Sequence, residues 1–383
     1  MKKIAIAGAG FAGAVLAREL AESGRFQIEV YEERDHIAGN CHTERDPRTG
    51  IMIHRYGPHI FNTNRKDVWD YVQRWGKFEP YVNRVKAQTE RGMFSLPVNL
   101  LTINQFFGKS MNPEAAARFV AQLGDQSIIE PRNFEEQALK FLGRDLYDNF
   151  FRGYTRKQWG VDPSDLPASI LQRLPVRFNY DDNYYSTRYQ GIPADGYTAV
   201  IAAILDHPAI QVQLRTRFSA SNRKDYDWCF FSGPLDSWFD FCLGRLQYRS
   251  LEFERIDAEG DFQGNPVINY CEEKVPFTRI AEHKHFAPWE THESTVCFRE
   301  YSKLAAPEDI PYYPLRLEGD KSLLQQYVTM ADQEPAVTFT GRLATYRYLD
   351  MHVVIGESLD LAARLVSGGG GTDDWPSFSV RPL

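Results

Sequence analysis

Apolar and polar positions alternate in blocks along the chain, and the first block is the sharpest. Ile4-Ala5-Ile6-Ala7 is a short strand-like run, Phe11 to Glu22 has helical spacing, and Ile28-Glu29-Val30-Tyr31 is a second strand. Further on, Val68 to Trp75 predicts an amphipathic helix, and Tyr81-Val82-Asn83-Arg84 predicts a strand continuing into Met93-Phe94-Ser95-Leu96-Pro97. From Thr102 to about Arg173 the spacing becomes helical, with Asn112-Pro113-Glu114 as a cap, a first-turn proline and a first-turn acid. A helix over 198–205, a strand over 211–214 and an apolar run ending in Ser232-Gly233-Pro234 return the chain to its first sheet. Between Leu246 and Tyr313 the pattern has the period of two of an antiparallel sheet. Val337 to Phe339 is a strand running into a turn at Gly341, Asp350-Met351 opens the last helix, and the glycine run from Gly368 with its polar tail is expected to be disordered.

The turn between the first strand and helix carries the first chemical signal. Gly8, Gly10 and Gly13 form a Gly-x-Gly-x-x-Gly turn, and Glu32 closes the second strand nineteen positions after Gly13. Gly8 permits the tight turn, Gly10 lets the backbone approach a pyrophosphate, and Gly13 lets helix and strand pack closely. The pyrophosphate would lie over unpaired N–H groups at a helix N-terminus, and Glu32 would accept from a ribose hydroxyl. This fingerprint serves NAD and FAD alike. A second glycine turn at Gly39-Asn40 and a strand–glycine–helix element at the far end of the chain favour FAD, whose extended form needs both ends.

Bulk properties narrow the class. With 383 residues the chain is expected to hold two or three domains. The 44 basic and 51 acidic residues give a net charge of −7 without a basic block, which argues against nucleic acid as the main partner. A strand starting at Ile4 leaves no room for a secretory leader, and no apolar run reaches bilayer length. A soluble, cytoplasmic protein is expected. The five cysteines are scattered without a C-x-x-C pair, so neither a disulfide framework nor a metal site is expected. In Phe150 to Gly160 aromatics alternate with cations, a composition that suits base stacking and phosphate pairing as well as a partly exposed helix end. His59, in the loop Gly57-Pro58-His59-Ile60-Phe61, fits either a packed core position or a site facing the cofactor.

Several ordered blocks resemble the bacterial UDP-galactopyranose mutase family. They are Gly57-Pro58-His59-Ile60-Phe61, Tyr81-Val82-Asn83-Arg84-Val85, Phe94-Ser95-Leu96-Pro97, Gly153-Tyr154-Thr155 with Lys157-Gln158-Trp159-Gly160, Arg177 to Tyr184, and Tyr346-Arg347-Tyr348-Leu349-Asp350-Met351. The resemblance spans residues 2 to about 365; Asn62 departs from it, where many relatives have a second histidine. It implies an α/β fold: a discontinuous Rossmann-like FAD-binding domain (1–82, 190–240 and 320–383), a helical insertion (101–172) and an antiparallel β-sheet substrate domain (83–100, 173–189 and 241–319).

The activity it implies is an isomerase that interconverts UDP-galactopyranose and UDP-galactofuranose through a sugar adduct at N5 of reduced FAD, without net redox change. NAD(P)H or another reductant would supply the electrons, and the product would serve cell-surface glycans. Arg173, Arg279 and His59 are the implied catalytic residues. Tyr154, Trp159, Arg173, Tyr184, Arg249, Asn269, Arg279, Tyr313, Tyr348, Asn83 and Phe150 would bind substrate. Gly8, Gly10, Phe11, Gly13, Glu32, Glu33, Gly39, Asn40, His59, Arg342, Tyr348, Asp350 and Met351 would hold the cofactor. A homodimer is implied by the family alone. An N-acetylated UDP-sugar, or an amine-oxidase-like or desaturase-like FAD enzyme, are the alternative readings; a redox enzyme of that kind would not need the arginine and tyrosine set for a diphosphate. A protein that keeps FAD only as a structural element would need no substrate site at all.

Overall fold

The computed structural model describes residues 1–168, 176–317, 319–368, 372 and 375–383. Its amino-terminal unit forms as the pattern predicts. β1 (Lys2–Ala7) buries Ile4 to Ala7, α1 (Phe11–Glu22) runs back along it, and β2 (Phe26–Tyr31) pairs parallel to β1 with Ile4 opposite Ile28. A continuous apolar run suits a strand covered on both faces. The chain then passes through β3 (Thr43–Arg45), β4 (Met52–His54), β5 (Phe61–Thr63), α2 (Lys66–Gln73) and β6 (Phe78–Pro80).

Where the sequence predicts one strand from Tyr81 to Pro97, the structure has a hairpin. Residues 81–84 are irregular, and β7 (Val85–Thr89) turns through Glu90-Arg91 into β8 (Gly92–Leu96), with Gly92 at φ +122°. Two charged residues followed by a glycine are turn chemistry that the flanking apolar pattern obscures.

The helical insertion follows: α3 (Leu100–Phe107), α4 (Pro113–Leu123), α5 (Phe134–Leu146), a π-helical segment from Tyr147 to Arg152, and α6 (Gly153–Trp159). α3, α4 and α5 each start on an asparagine whose side chain accepts a backbone N–H three residues on: Asn99 from Thr102, Asn112 from Ala115 and Asn133 from Glu136. Each cap satisfies a donor the helix would otherwise leave open. Their apolar faces meet in one core with Ile103, Phe106, Val120, Phe134 and Leu142.

β9 (Tyr189–Pro193) and α7 (Gly196–Leu205) lead back to β10 (Ile210–Gln213), which pairs with β2, and to β11 (Trp228–Phe231), which pairs with β1. After α8 (Leu235–Trp238) come β12 (Tyr248–Glu259), β13 (Val267–Tyr270), β14 (Arg279–Glu282), β15 (Ser294–Leu304) and β16 (Tyr313–Pro314). They join the β7–β8 hairpin in a sheet of order β16-β12-β15-β14-β13-β7-β8, antiparallel except where β13 meets β7. α9 (Asp320–Ala331), β17 (Val337–Phe339), α10 (Gly341–Ala344) and α11 (Met351–Ser367) complete the chain. β17 closes the parallel sheet, whose order is β10-β2-β1-β11-β17. The fold is therefore the expected α/β one, with a Rossmann-like sheet and a largely antiparallel second sheet. No helix among the described residues is long and apolar enough to cross a membrane.

The polar tail differs from expectation in its described part. Residues 369–371 lie outside the described residues, but Trp375 and Phe378 are only 8% and 6% exposed. Trp375 packs its ring 5.7 Å from Phe26, 5.4 Å from Trp228 and 5.6 Å from Phe230, and Phe339 N–H donates to Ser377 O. Two aromatic anchors outweigh a polar composition. Trp375→Ala is expected to destabilise the fold by about 3–5 kcal/mol, read as a lowered urea midpoint with an unchanged slope.

Candidate active site

Three glycine turns converge above the C-terminal ends of the parallel strands. Gly8 has φ +105°, and a Cβ on it would lie 2.2 Å from Ser232 Oγ; one on Gly13 would lie 1.9 Å from Gly8 O. Gly10 faces Gly39, whose backbone is also left-handed at φ +52°, and Ala38 N–H donates to Ala9 O at 2.9 Å. From the far end of the chain Gly341 (φ +74°) approaches Ala12, where an added Cβ would sit 3.2 Å from that side chain.

These turns border a cavity of 440 Å³ also lined by Phe11, Glu32, Glu33, Asn40, His59, Arg342 and Met351. Gly13 is not part of the lining, since it sets the helix–strand distance. Asp350 stands outside it too, at the N-cap position just before α11. Glu32 is 6% exposed, and its carboxylate accepts from Ala9 N–H at 3.0 Å and Arg34 N–H at 3.1 Å. Each oxygen keeps a further lone pair for a ribose hydroxyl.

Sequence reasoning missed Arg34. Its guanidinium donates to Asn40 Oδ1 at 2.8 Å and lies over Tyr56, while its buried Nη1 has no partner among the described residues. Buried donors are rarely left unpaired, so a ligand acceptor is called for here. The glycine cradle, the orphaned Nη1 and the acid at the ribose position fit a bound FAD.

His59 reaches this cavity from the loop between β4 and β5. Its Nδ1 donates to Gly57 O at 2.8 Å, and its backbone N–H donates to His54 Nδ1 at 3.2 Å. Burial, with the charges of Arg342 and Arg279, pushes its pKa down to about 4. The ring is neutral at physiological pH, so it presents Nε2 as an acceptor and is no proton donor there. Asn62, the departure from the family pattern, accepts from Thr187 Oγ1 at 3.3 Å and ties β5 to the segment before β9.

A second set of side chains gathers on the antiparallel sheet. Asn269, Arg279 and Glu300 lie side by side on β13, β14 and β15. Arg279 places Nε 2.8 Å and Nη2 2.7 Å from one oxygen of Glu300, which is 1% exposed and also accepts from Thr278 Oγ1. Burial opposes the charge on Arg279, but Glu300, Tyr154 and Tyr313 outweigh it and hold the pKa well above its ordinary value. The phenols of Tyr154, Tyr184 and Tyr313 are pushed up by burial and stay protonated.

Tyr313 stacks on Tyr348 at 5.1 Å, Tyr348 meets Trp159 at 6.3 Å, and Arg342 lies over both tyrosines while donating to Leu349 O and Tyr312 O. The aromatic row thus runs from the helical insertion to the cofactor cavity. Asn83 holds Tyr184 through its backbone carbonyl at 2.8 Å, and the buried Oδ1 atoms of Asn83 and Asn269 have no partner among the described residues. A fixed cation, a row of neutral donors and orphan amide oxygens make an environment that can hold a diphosphate and a sugar.

Two expected substrate residues are placed elsewhere. Phe150 is 4% exposed, with its ring 5.4 Å from Phe94 and 5.3 Å from Phe106, so it serves the core of the insertion. Arg249 directs Nε and Nη2 to Gln158 O, Lys157 O and Ser302 Oγ, so these donors serve α6. Arg173 lies outside the described residues. Glu300 was not anticipated, because strand alternation gives its facing but not its partner on the next strand. Among the described residues, Asp261, Glu282 and His285 could bring ligand atoms within 4.8 Å of one another. There Glu282 already accepts three backbone N–H groups and Lys284 pairs with Asp261, so the cluster has its own polar partners.

Comparison with known proteins agrees with this geometry. A family model described as UDP-galactopyranose mutase matches residues 149–348, and one described as an NAD(P)-binding Rossmann-like domain matches residues 6–75. The chain is 52% identical over 379 residues to a probable UDP-galactopyranose mutase of Klebsiella pneumoniae, covering 99% of this chain and 98% of that one. It is 49% identical over 369 residues to a dTDP-fucopyranose mutase of Escherichia coli, covering 94% and 98%. A crystal structure of reduced UDP-galactopyranose mutase superposes with a TM-score of 0.72 at 16% identity over 97% of both chains, a likeness of fold.

Proposed function

Because the chain belongs to the UDP-galactopyranose mutase family, we propose that it interconverts UDP-galactopyranose and UDP-galactofuranose on reduced FAD with no net redox change. The observation that carries this reading is the pairing of two sites: a glycine-walled cavity lined by His59 and Arg342, and Arg279 with its row of phenols beside it. Gly8, Gly10, Phe11, Glu32, Arg34, Gly39, Asn40, Arg342 and Met351 would hold FAD, and His59 would lie against the isoalloxazine. Bound and reduced, the flavin supplies a nucleophilic nitrogen, N5, toward the anomeric carbon of the sugar.

The chain's own residues handle the leaving group. Arg279, kept charged by Glu300, holds the diphosphate as negative charge develops on it. Protonated Tyr184 and Tyr313, and Tyr348 beside them, would donate to its oxygens without adding a charge that must be desolvated. UDP retained in this way is available for recapture once the sugar ring has reclosed. Tyr154 and Trp159 would stack the uracil, Asn83 and Asn269 would accept from sugar hydroxyls, and neutral His59 would bring no competing charge. Reduction by NAD(P)H or another donor, a cytoplasmic homodimer and supply of galactofuranose to cell-surface glycans belong to the same proposal.

The near-equal identity to a dTDP-fucopyranose mutase supports a second reading, with that nucleotide sugar as substrate. The two substrates share the diphosphate and differ at the base, at the ribose 2′-hydroxyl and at sugar C6. Parallel assays of the dithionite-reduced enzyme with both nucleotide sugars decide between them. A kcat/KM at least about tenfold higher for UDP-galactose, about 1.4 kcal/mol in transition-state binding, is expected; the reverse ratio would transfer the assignment to the dTDP sugar.

A further inference from the structure

α6 is a single short helix, yet it carries both Tyr154 and Trp159, and the way it is fastened is unusual. Lys157 projects from its middle into the segment between β13 and β14, where Nζ donates to four backbone carbonyls: Tyr270 O at 2.7 Å, Glu272 O at 2.9 Å, Val275 O at 3.0 Å and Phe277 O at 2.9 Å. A neutral amine has two protons to offer these four acceptors and an ammonium has three, so the arrangement calls for the charged form. Burial draws the Lys157 pKa down to about 8, while Cys271, Glu272 and Glu273 act to raise it, so the ammonium predominates at neutral pH.

The end of the helix is held as firmly. Its last carbonyls would be unsatisfied, but Arg249 donates Nε to Gln158 O at 3.0 Å and Nη2 to Lys157 O at 3.1 Å, and Ser302 Oγ donates to Gln158 O at 2.8 Å. Glycines let both ends approach. A Cβ on Gly153 would lie 2.3 Å from Cys271 O, and one on Gly160, which has φ +71°, would lie 2.3 Å from Arg249 Nη1. Neither contact leaves room for a side chain.

We propose that Lys157, together with Arg249 and Ser302, is a positioning residue for the nucleotide end of the substrate, fixing α6 so that Tyr154 and Trp159 form a preorganised platform for the base. The proposal rests on the mutase reading and deepens it. Lys157 directs its ammonium to backbone carbonyls and acts through α6; it removes the ordering that the two rings would otherwise undergo on binding. A loosened α6 weakens capture of the nucleotide and leaves the reacting centre, built on Arg279 and the cofactor cavity, in place.

The test is steady-state kinetics of reduced Lys157→Ala holoenzyme with UDP-galactofuranose, with and without propylammonium chloride, beside Ser302→Ala, which trims the cap without opening a cavity at the lysine. For Lys157→Ala, KM is expected to rise about tenfold to a hundredfold, with kcat within about threefold of wild type, flavin content unchanged and KM partly restored by propylammonium. Ser302→Ala is expected to show a smaller rise in KM, and it carries the test if Lys157→Ala does not fold. KM equal to wild type in the folded variants, or a loss confined to kcat, would overturn the inference. Wild-type enzyme that neither binds UDP nor turns over the sugar would instead overturn the mutase reading, so the two failures are told apart.

Discussion

Lysine in place of Arg279 is expected to lower kcat/KM for UDP-galactofuranose by about 10²- to 10³-fold, the loss seen when one preorganised donor to a developing oxyanion is removed. The substitution keeps the charge and discards the planar fork. In the native arrangement Nε and Nη2 both bind one oxygen of Glu300, which orients the guanidinium among Tyr154, Tyr184 and Tyr313. A lysine can satisfy Glu300 or reach the diphosphate, but it cannot do both with fixed geometry. Stability is expected to fall little, because Glu300 retains a cation. Arg279→Leu, by contrast, would leave that 1% exposed carboxylate unpaired and cost about 3–5 kcal/mol of stability as well. Kinetics and thermal melting of the two variants separate catalytic from structural loss.

The second large effect is expected at Gly13. A Cβ there would stand 1.9 Å from Gly8 O, 3.2 Å from Gly8 C and 3.0 Å from Ile6 Cγ2, and two of those atoms are backbone that cannot swing aside. Gly13→Ala must therefore lift α1 off β1, which moves the N–H groups of Phe11 and Ala12 away from the pyrophosphate position. Overpacking of this kind costs about 1–3 kcal/mol of stability, while cofactor binding depends on the helix N-terminus being in place. The variant is expected to purify folded but without flavin absorbance, and to stay inactive when FAD is added. Retention of a full complement of flavin would contradict the assignment of this turn.

These two predictions also mark what the sequence makes legible. Gly8, Gly10, Gly13 and Glu32 could be read directly, because the turn, the close approach and the acid are all fixed within one strand–helix–strand unit. Arg279 could not: its neighbours Asn269 and Glu300 are ten and twenty-one positions away, and only the register of β13, β14 and β15 brings them together. The family resemblance implied Arg279, whereas Glu300 had no such flag. Phe150 shows the opposite failure. A run of aromatics and cations has the composition of a binding site, and the helical phase that turns Phe150 inward toward Phe94 and Phe106 while Trp159 faces Tyr348 is not apparent from composition. Trp375 and Phe378 were hidden for the same reason, since a polar tail with two aromatics can still be anchored by them.

The proposed reaction is isomerisation of the sugar by a reduced flavin and a held diphosphate together, without consumption of electrons. Its most direct test is chromatographic: purified holoenzyme is incubated anaerobically with UDP-galactofuranose, once oxidised and once reduced by a single equivalent of dithionite, and the products and the flavin spectrum are followed together. Many turnovers to UDP-galactopyranose are expected in the reduced sample alone, with the flavin still reduced at the end. Flavin reoxidised in step with product, or no pyranose formed while the flavin is reduced, would contradict it and point to an oxidoreductase on the same fold.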